Sequence, residues 1–256
     1  MALPTGVVLC YARGVPARRE SILIVKTGEP VASVRERRGQ FADLIREAIG
    51  PAWSGGYEVV DIVTEVPPDP GEVAAVVITG SPASVPDREP WMKRAEAWLC
   101  AVVAAGTPTF GICFGHQMLA QALGGEVQRN PRGREMGTVP VECFGHAASP
   151  IFTDVPARFL AQVTHVDSVV RLPPGAEPLA RTEIENYQAI RFAEACYGVQ
   201  FHPEIDEDVM RAYVLARREI LTAEGFVVEA MVAGIAEAHA ARQTLRNFVR
   251  HFLPRR

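Results

Sequence analysis

Residues 107–125 read TPTFGICFGHQMLAQALGG. An apolar run over 107–112 passes through Cys113 without a loop into a helical pattern. Met118, Leu119, Ala122 and Leu123 share one face, and Gly124 and Gly125 stop it. A strand that turns straight into a helix, with glycine on both sides of one residue, is a nucleophile elbow. The sharp turn projects the middle side chain, and Gly111 and Gly115 leave room for the backbone. The place also suits a thiol. The helix N-terminus favours thiolate, and the free N–H of Phe114 can meet a developing negative oxygen.

Working outward, similar units precede the elbow. Residues 21–26 (SILIVK) form a strand, and Phe41, Leu44, Ile45, Ala48 and Ile49 recur at helical spacing before Gly50. Residues 57–63 and 73–79 are further strands. The second, VAAVVIT, has no polar alternation, as expected of a strand covered on both faces of a parallel sheet. Pro90 starts a helix whose stripe runs from Trp91 to Val103. This βαββαβα order predicts an α/β fold, a mostly parallel sheet flanked by helices. After residue 137 the runs 138–143, 159–163, 178–181, 188–192 and 196–201 are short strands with little helix between them, predicting a small antiparallel extension and a return to the main sheet. From Glu207 the pattern is helical, broken at Gly225 and ending in a stripe of Leu245, Phe248, Val249 and Phe252. The expected organisation is one domain over residues 21–256 with a helical C-terminal tail, preceded by residues 1–20 as an extension of unexplained role.

Composition narrows the partner. The 256 residues are 48% hydrophobic and 22% charged with a formal charge of −4, which is ordinary globular material. A mildly acidic chain lacks the basic face of a nucleic-acid or anionic-membrane binder, leaving a small molecule or another protein as partner. The five cysteines include no C-x-x-C pair, so a disulfide framework and a structural zinc site are not expected. No Walker loop or dinucleotide fingerprint appears, and no cofactor is expected. The N-terminal apolar run is too short for a secretory signal, and no run approaches the roughly 18–20 apolar residues of a membrane span. A cytoplasmic location follows as the expectation.

A thiolate nucleophile needs a base. Residues 197–204, YGVQFHPE, supply His202 at a strand end that Pro203 enforces. In extended chain, residues two apart point the same way, so Glu204 can reach the far nitrogen of His202 and orient it. His116 follows the nucleophile too closely to face it. His146, His239 and His251 sit in no cluster of metal-ligand spacing, and Cys10, Cys100, Cys143 and Cys196 read as packing residues. Ser54-Gly-Gly56 is rejected as a phosphate loop because no buried strand precedes it.

With Gly111–Gln117 and Gly198–Glu204 in place, 89 residues apart from cysteine to histidine, the chain resembles the class I (triad) glutamine amidotransferases, in particular the glutaminase domain of GMP synthetases. The family pairs a G-x-C-x-G-x-Q elbow with G-x-Q-F-H-P-E. The likeness extends to Thr79-Gly-Ser-Pro82, where the family usually has G-G-P, and to Glu135-Met-Gly137, Thr164-His-Val-Asp167 and Leu245-Arg-Asn-Phe248. It implies a flavodoxin-like fold of the class I amidotransferase type. It also implies a Cys113–His202–Glu204 triad and an oxyanion hole from the backbone N–H groups of Ser81 and Phe114. Substrate contacts would come from Gly80, Gln117, His165, Val166 and Asp167. Ser81 departs from the family's glycine, and several relatives have glycine where Val166 stands.

Three functions stay open. The chain hydrolyses glutamine to glutamate and ammonia through a γ-glutamyl thioester, the ammonia passing to an acceptor on a synthetase-type partner, since the glutaminase fold and its tail take up the 256 residues. Alternatively the same triad cuts a γ-glutamyl bond in glutathione-like or other γ-glutamyl compounds. The third reading is a regulatory subunit without catalysis, against which the intact triad residues argue.

Overall fold

The computed structural model describes residues 21–144 and 149–253. The expected extension over residues 1–20, with Cys10, and His146 lie outside the described residues. In chain order the elements are β1 (Ser21–Lys26), α1 (Ala32–Arg38), α2 (Phe41–Ile49), β2 (Gly56–Asp61), β3 (Ala75–Ile78), α3 (Pro90–Ala104), β4 (Thr109–Ile112), α4 (Phe114–Ala122), β5 (Glu126–Arg129), β6 (Glu135–Cys143), β7 (Arg158–His165), β8 (Asp167–Arg171), β9 (Glu177–Arg181), β10 (Ala189–Ala193), β11 (Cys196–Val199), α5 (Glu207–Ala216), α6 (Arg218–Ala223), α7 (Val228–Ala233) and α8 (His239–Phe252).

Nine strands form one sheet in the order β2-β1-β3-β4-β11-β10-β9-β6-β7. The first five are parallel and the last four antiparallel. The elbow strand β4 lies at the centre, between β3 and β11. Both faces of the parallel half are covered. Ile22 and Ile24 point into one core with Phe110, Tyr197 and Phe248, while Leu23 and Val25 point into the other with Met92, Leu99 and Met118. That two-sided burial is why these strands carry no polar alternation. The tail helix α8 closes the first core, where Phe248 meets Phe110 at 5.1 Å between ring centroids. Asn247 Nδ2 donates to the carbonyls of Ile151 (3.1 Å) and Thr153 (2.6 Å), so the Leu245-Arg-Asn-Phe248 motif is a packing device.

Three parts of the fold differ from the pattern read in the sequence. α1 is helical although only Val34 of it is buried, because its arginines are held from outside; Arg38 meets Asp206 at 2.9 Å. β5 and β8 pair into a separate two-stranded antiparallel sheet whose residues alternate too briefly to register as strands. The helices α5 to α7 do not run off as a tail. They fold back over α1 and α2 in a third core of Val34, Phe41, Met136, Val209, Tyr213 and Leu221. Among the described residues no helix is long and apolar enough to cross a membrane.

The parallel half positions chemistry at its carboxyl edge, where open α/β sheets bind ligands. Three neighbouring strands end there side by side. β3 leads into Gly80 and Ser81, β4 into Cys113 and Phe114, and β11 into residues 200–204.

Candidate active site

Cys113 has φ 50° and ψ −101°, a conformation few non-glycine residues adopt. Such a backbone costs on the order of 1–3 kcal/mol and persists only where its surroundings impose it. Here β11 imposes it through the Cys113 N–H, which donates to the Val199 carbonyl at 2.8 Å. The flanking glycines are required by contact. A Cβ on Gly111 would lie 2.7 Å from the backbone of Gly115, and one on Gly115 would lie 2.6 Å from the Ile78 carbonyl. The thiol thus stands at the first turn of α4, where Phe114 is the first helical residue and its N–H has no helical acceptor.

His202 is held on three sides. Its N–H donates to the Gln162 carbonyl (2.8 Å), Phe41 stacks on its ring with centroids 6.5 Å apart, and its Nδ1 meets Glu204 Oε1 at 2.7 Å. Gly80 backs the ring, since a Cβ there would sit 3.0 Å from His202 Cε1. Nε2 is buried and has no hydrogen-bond partner among the described residues. Burial by itself would lower the imidazole's pKa, but the Glu204 charge and the Cys113 sulfur more than reverse this and raise it to about 10. The ring therefore keeps its proton at neutral pH with one nitrogen on Glu204 and the other open toward the sulfur.

Cys113 opens on two cavities. One, of about 330 Å³, is lined by Cys113, Phe114, Gln117, His165, Val166 and Asp167. The other, of about 210 Å³, is lined by Cys113, His202, Phe41 and Tyr213. Ser81, Thr164 and Arg217 border both. The structure thus brings together Cys113, His202, Glu204, Ser81, Phe114, Gln117 and residues 165–167, while Gly80 sits behind His202 and lines neither cavity. Ser81 Oγ donates to the Thr27 carbonyl at 2.8 Å, so its side chain secures the loop.

Below the larger cavity lies a second buried histidine. His165 Nε2 meets Glu135 Oε2 at 2.9 Å and Nδ1 meets the Asp167 carbonyl at 3.0 Å. Both partners are acceptors, so the ring satisfies them only as imidazolium, with two N–H groups. Burial opposes that charge, and Glu135 and Glu185 outweigh it, raising the His165 pKa. Thr182 and Gln188 also donate to Glu135, and Asn130 pins the segment by donating its N–H to the Val166 carbonyl at 2.8 Å.

Gln200 stands inside the histidine motif, yet no role for it follows from the sequence. In the fold its Nε2 donates to Cys113 Sγ at 3.4 Å, and Gln117 Nε2 donates to Gln200 Oε1 (3.0 Å) and to the Asp167 carbonyl (2.8 Å). Gln117 is therefore tied into a chain of amides that steadies the sulfur. The spacing rule that links His202 to Glu204 also reaches Gln200, two residues earlier, and that is the signal that could have found it. Arg217 and Arg134 carry none, because each lies outside the motifs that mark the site.

Cys143, Cys196 and His116 contrast with this. Burial pushes Cys143 up to about 12 and Cys196 higher, so both stay as thiols. Burial pushes His116 down to about 3, leaving it neutral against Phe192. Among the described residues no group of three or more His, Cys, Asp or Glu is placed to hold a metal ion.

The sequence pattern of the family described as glutamine amidotransferase class-I matches residues 57–220. A glutamine-hydrolyzing GMP synthase of Aeropyrum pernix is 35% identical over 184 residues, covering 72% of this chain and 33% of that protein. A protein of Ignicoccus hospitalis named as a subunit of glutamine-hydrolyzing GMP synthase is 37% identical over 168 residues, covering 65% of this chain and 85% of that one. The chain thus spans about a third of the length of the Aeropyrum protein and most of the Ignicoccus one. In three dimensions it is similar to a glutamine amidotransferase from Thermotoga maritima, with TM-score 0.71 and 20% identity over 91% of this chain and 97% of that one. A glutamine amidotransferase from Methylobacillus flagellatus gives TM-score 0.71 and 24% identity over 93% and 96%. At those identities the two structures show the fold alone.

Proposed function

The chain belongs to the class-I glutamine amidotransferase family, and we propose that it hydrolyses the side-chain amide of glutamine through a Cys113–His202–Glu204 triad. One observation carries this reading: a cysteine at a positive-φ elbow shares a cavity with a histidine whose far nitrogen is held by a carboxylate at 2.7 Å. Cys113 Sγ attacks the amide carbon, and the carbonyl oxygen takes the negative charge facing the N–H groups of Phe114 and Ser81. His202 Nε2 gives its proton to the departing nitrogen as the C–N bond breaks, leaving a γ-glutamyl thioester and ammonia. Water then adds with His202 as base, the S–C bond breaks, and glutamate leaves. Glu204 fixes the ring's tautomer and stabilises its cation.

The glutamyl part would occupy the larger cavity. Asp167 suits its α-ammonium group, and Arg129 its α-carboxylate. The relative from Ignicoccus hospitalis carries the name of one component of a synthase, and on that likeness a synthetase-type partner that consumes ammonia is proposed for this chain too. Purified protein should release ammonia from glutamine, and Cys113→Ala should stop it. Equal release by Cys113→Ala and wild type would refute the triad.

A further inference from the structure

The smaller cavity, which Cys113 and His202 share, is larger than the release of ammonia from glutamine requires. His202 is the acid that protonates the departing nitrogen, so the leaving amine must lie on the His202 side of Cys113. That side is the 210 Å³ cavity, which Phe114 and Gln117 do not line. Ammonia is about the size of water, whose share of liquid volume is roughly 30 Å³, so the cavity exceeds it several-fold. Pro30, Val31, Phe41 and Tyr213 make much of its wall apolar. Apart from His202 it has two charged residues, of which Glu29 is already paired with Lys26 and Arg35.

The other is Arg217, at the end of α5. Its guanidinium lies 4.8 Å from the Tyr213 ring centroid. It has no ion pair among the described residues, and its Nη1 is buried with no hydrogen-bond partner. A partly buried guanidinium without a counter-charge is costly, and burial here lowers its pKa. Arg134 is its opposite, tied by two contacts to Glu224 at 2.7 and 3.1 Å. A planar cation left open beside an apolar wall fits a carboxylate, which it can bind through two parallel N–H groups.

Building on the triad reading, we infer that the site also cleaves γ-glutamyl amino acids, with Arg217 binding the α-carboxylate of the leaving residue and the apolar wall taking its side chain. The chemistry balances as for glutamine. The γ-glutamyl C–N bond breaks, His202 protonates the departing α-nitrogen, and water releases glutamate from Cys113. The products are glutamate and a free amino acid. Arg217 is thus a specificity-determining residue.

The test compares γ-glutamylleucine with γ-glutamylleucinamide, which differ only in that carboxylate, and follows release of leucine or leucinamide alongside ammonia release from glutamine. Wild type should favour the acid in kcat/KM by about 10- to 100-fold, the usual range for a hydrogen-bonded charge. Arg217→Met should bring the ratio close to one, and Arg217→Lys should keep part of it. Equal rates for the two peptides in wild type, or a ratio unchanged in Arg217→Met, would overturn the inference. So would glutamine turnover with neither peptide cut, which leaves the triad standing. Loss of all three activities together with no labelling of Cys113 by a diazo-ketone glutamine analogue would sink the triad reading itself. Should Arg217→Met fail to fold, the wild-type ratio and Arg217→Lys still decide.

Discussion

Two buried histidine–carboxylate pairs flank Cys113, and they differ in one valence. In the His202–Glu204 pair one ring nitrogen is bound at 2.7 Å and the other has no partner. In the His165–Glu135 pair both nitrogens are bound, at 2.9 and 3.0 Å. Both histidines have raised pKa values, so proton affinity does not separate them. Geometry does. A ring with an open nitrogen beside the sulfur can pass a proton, whereas a ring with two acceptors can only hold its charge and the 165–167 segment in place.

Substitutions should break the symmetry between the pairs. The largest effect belongs to the proton-passing side: His202→Asn should lower kcat for glutamine by at least about 10³-fold, as loss of a triad member does. Glu204→Gln should follow at about 10²–10⁴-fold, measured as ammonia release with the fold intact. On the other side, Glu135→Gln should act mainly on stability, costing about 3–5 kcal/mol in urea unfolding because it leaves a buried charge unmatched. Its activity loss should appear in KM. Glu204→Gln and Glu135→Gln giving the same kcat loss would erase the distinction.

Smaller effects sharpen it. Gly115→Ala pushes a methyl against the Ile78 carbonyl and should destabilise by about 1–3 kcal/mol. The pH dependence has a definite sign. Both histidines bind protons more tightly folded than at their ordinary 6.5, so the native state carries more protons above that pH and stability falls as pH rises, for His202 through about 10. Urea midpoints between pH 6.5 and 9.5 should decline, and less steeply in His202→Asn.

The two halves of the sheet were unequally legible. The strands of the parallel half announce themselves because both faces are buried, and the elbow because strand, glycines and helix are contiguous. The Cys113 and His202 motifs come together because β4 and β11 are neighbours, which the sequence shows only through the resemblance. Hidden were α1, whose polar residues lack a stripe, and the brief β5–β8 pair. The fold-back of α5–α7 was hidden too, because a helical pattern states which face is apolar and not what it covers. That is why Arg217, delivered by α5 to the rim of the site, left no mark in the motifs, while Gln200 lay in view two residues before His202.

The central claim is a covalent intermediate on Cys113. Acid quenching of the protein during glutamine turnover, followed by peptide mass spectrometry, measures it directly. A glutamyl adduct on the peptide containing Cys113, absent from those containing Cys100, Cys143 and Cys196 and absent in Cys113→Ala, is the predicted result. Turnover that persists in Cys113→Ala, or an adduct carried by another residue, would contradict it.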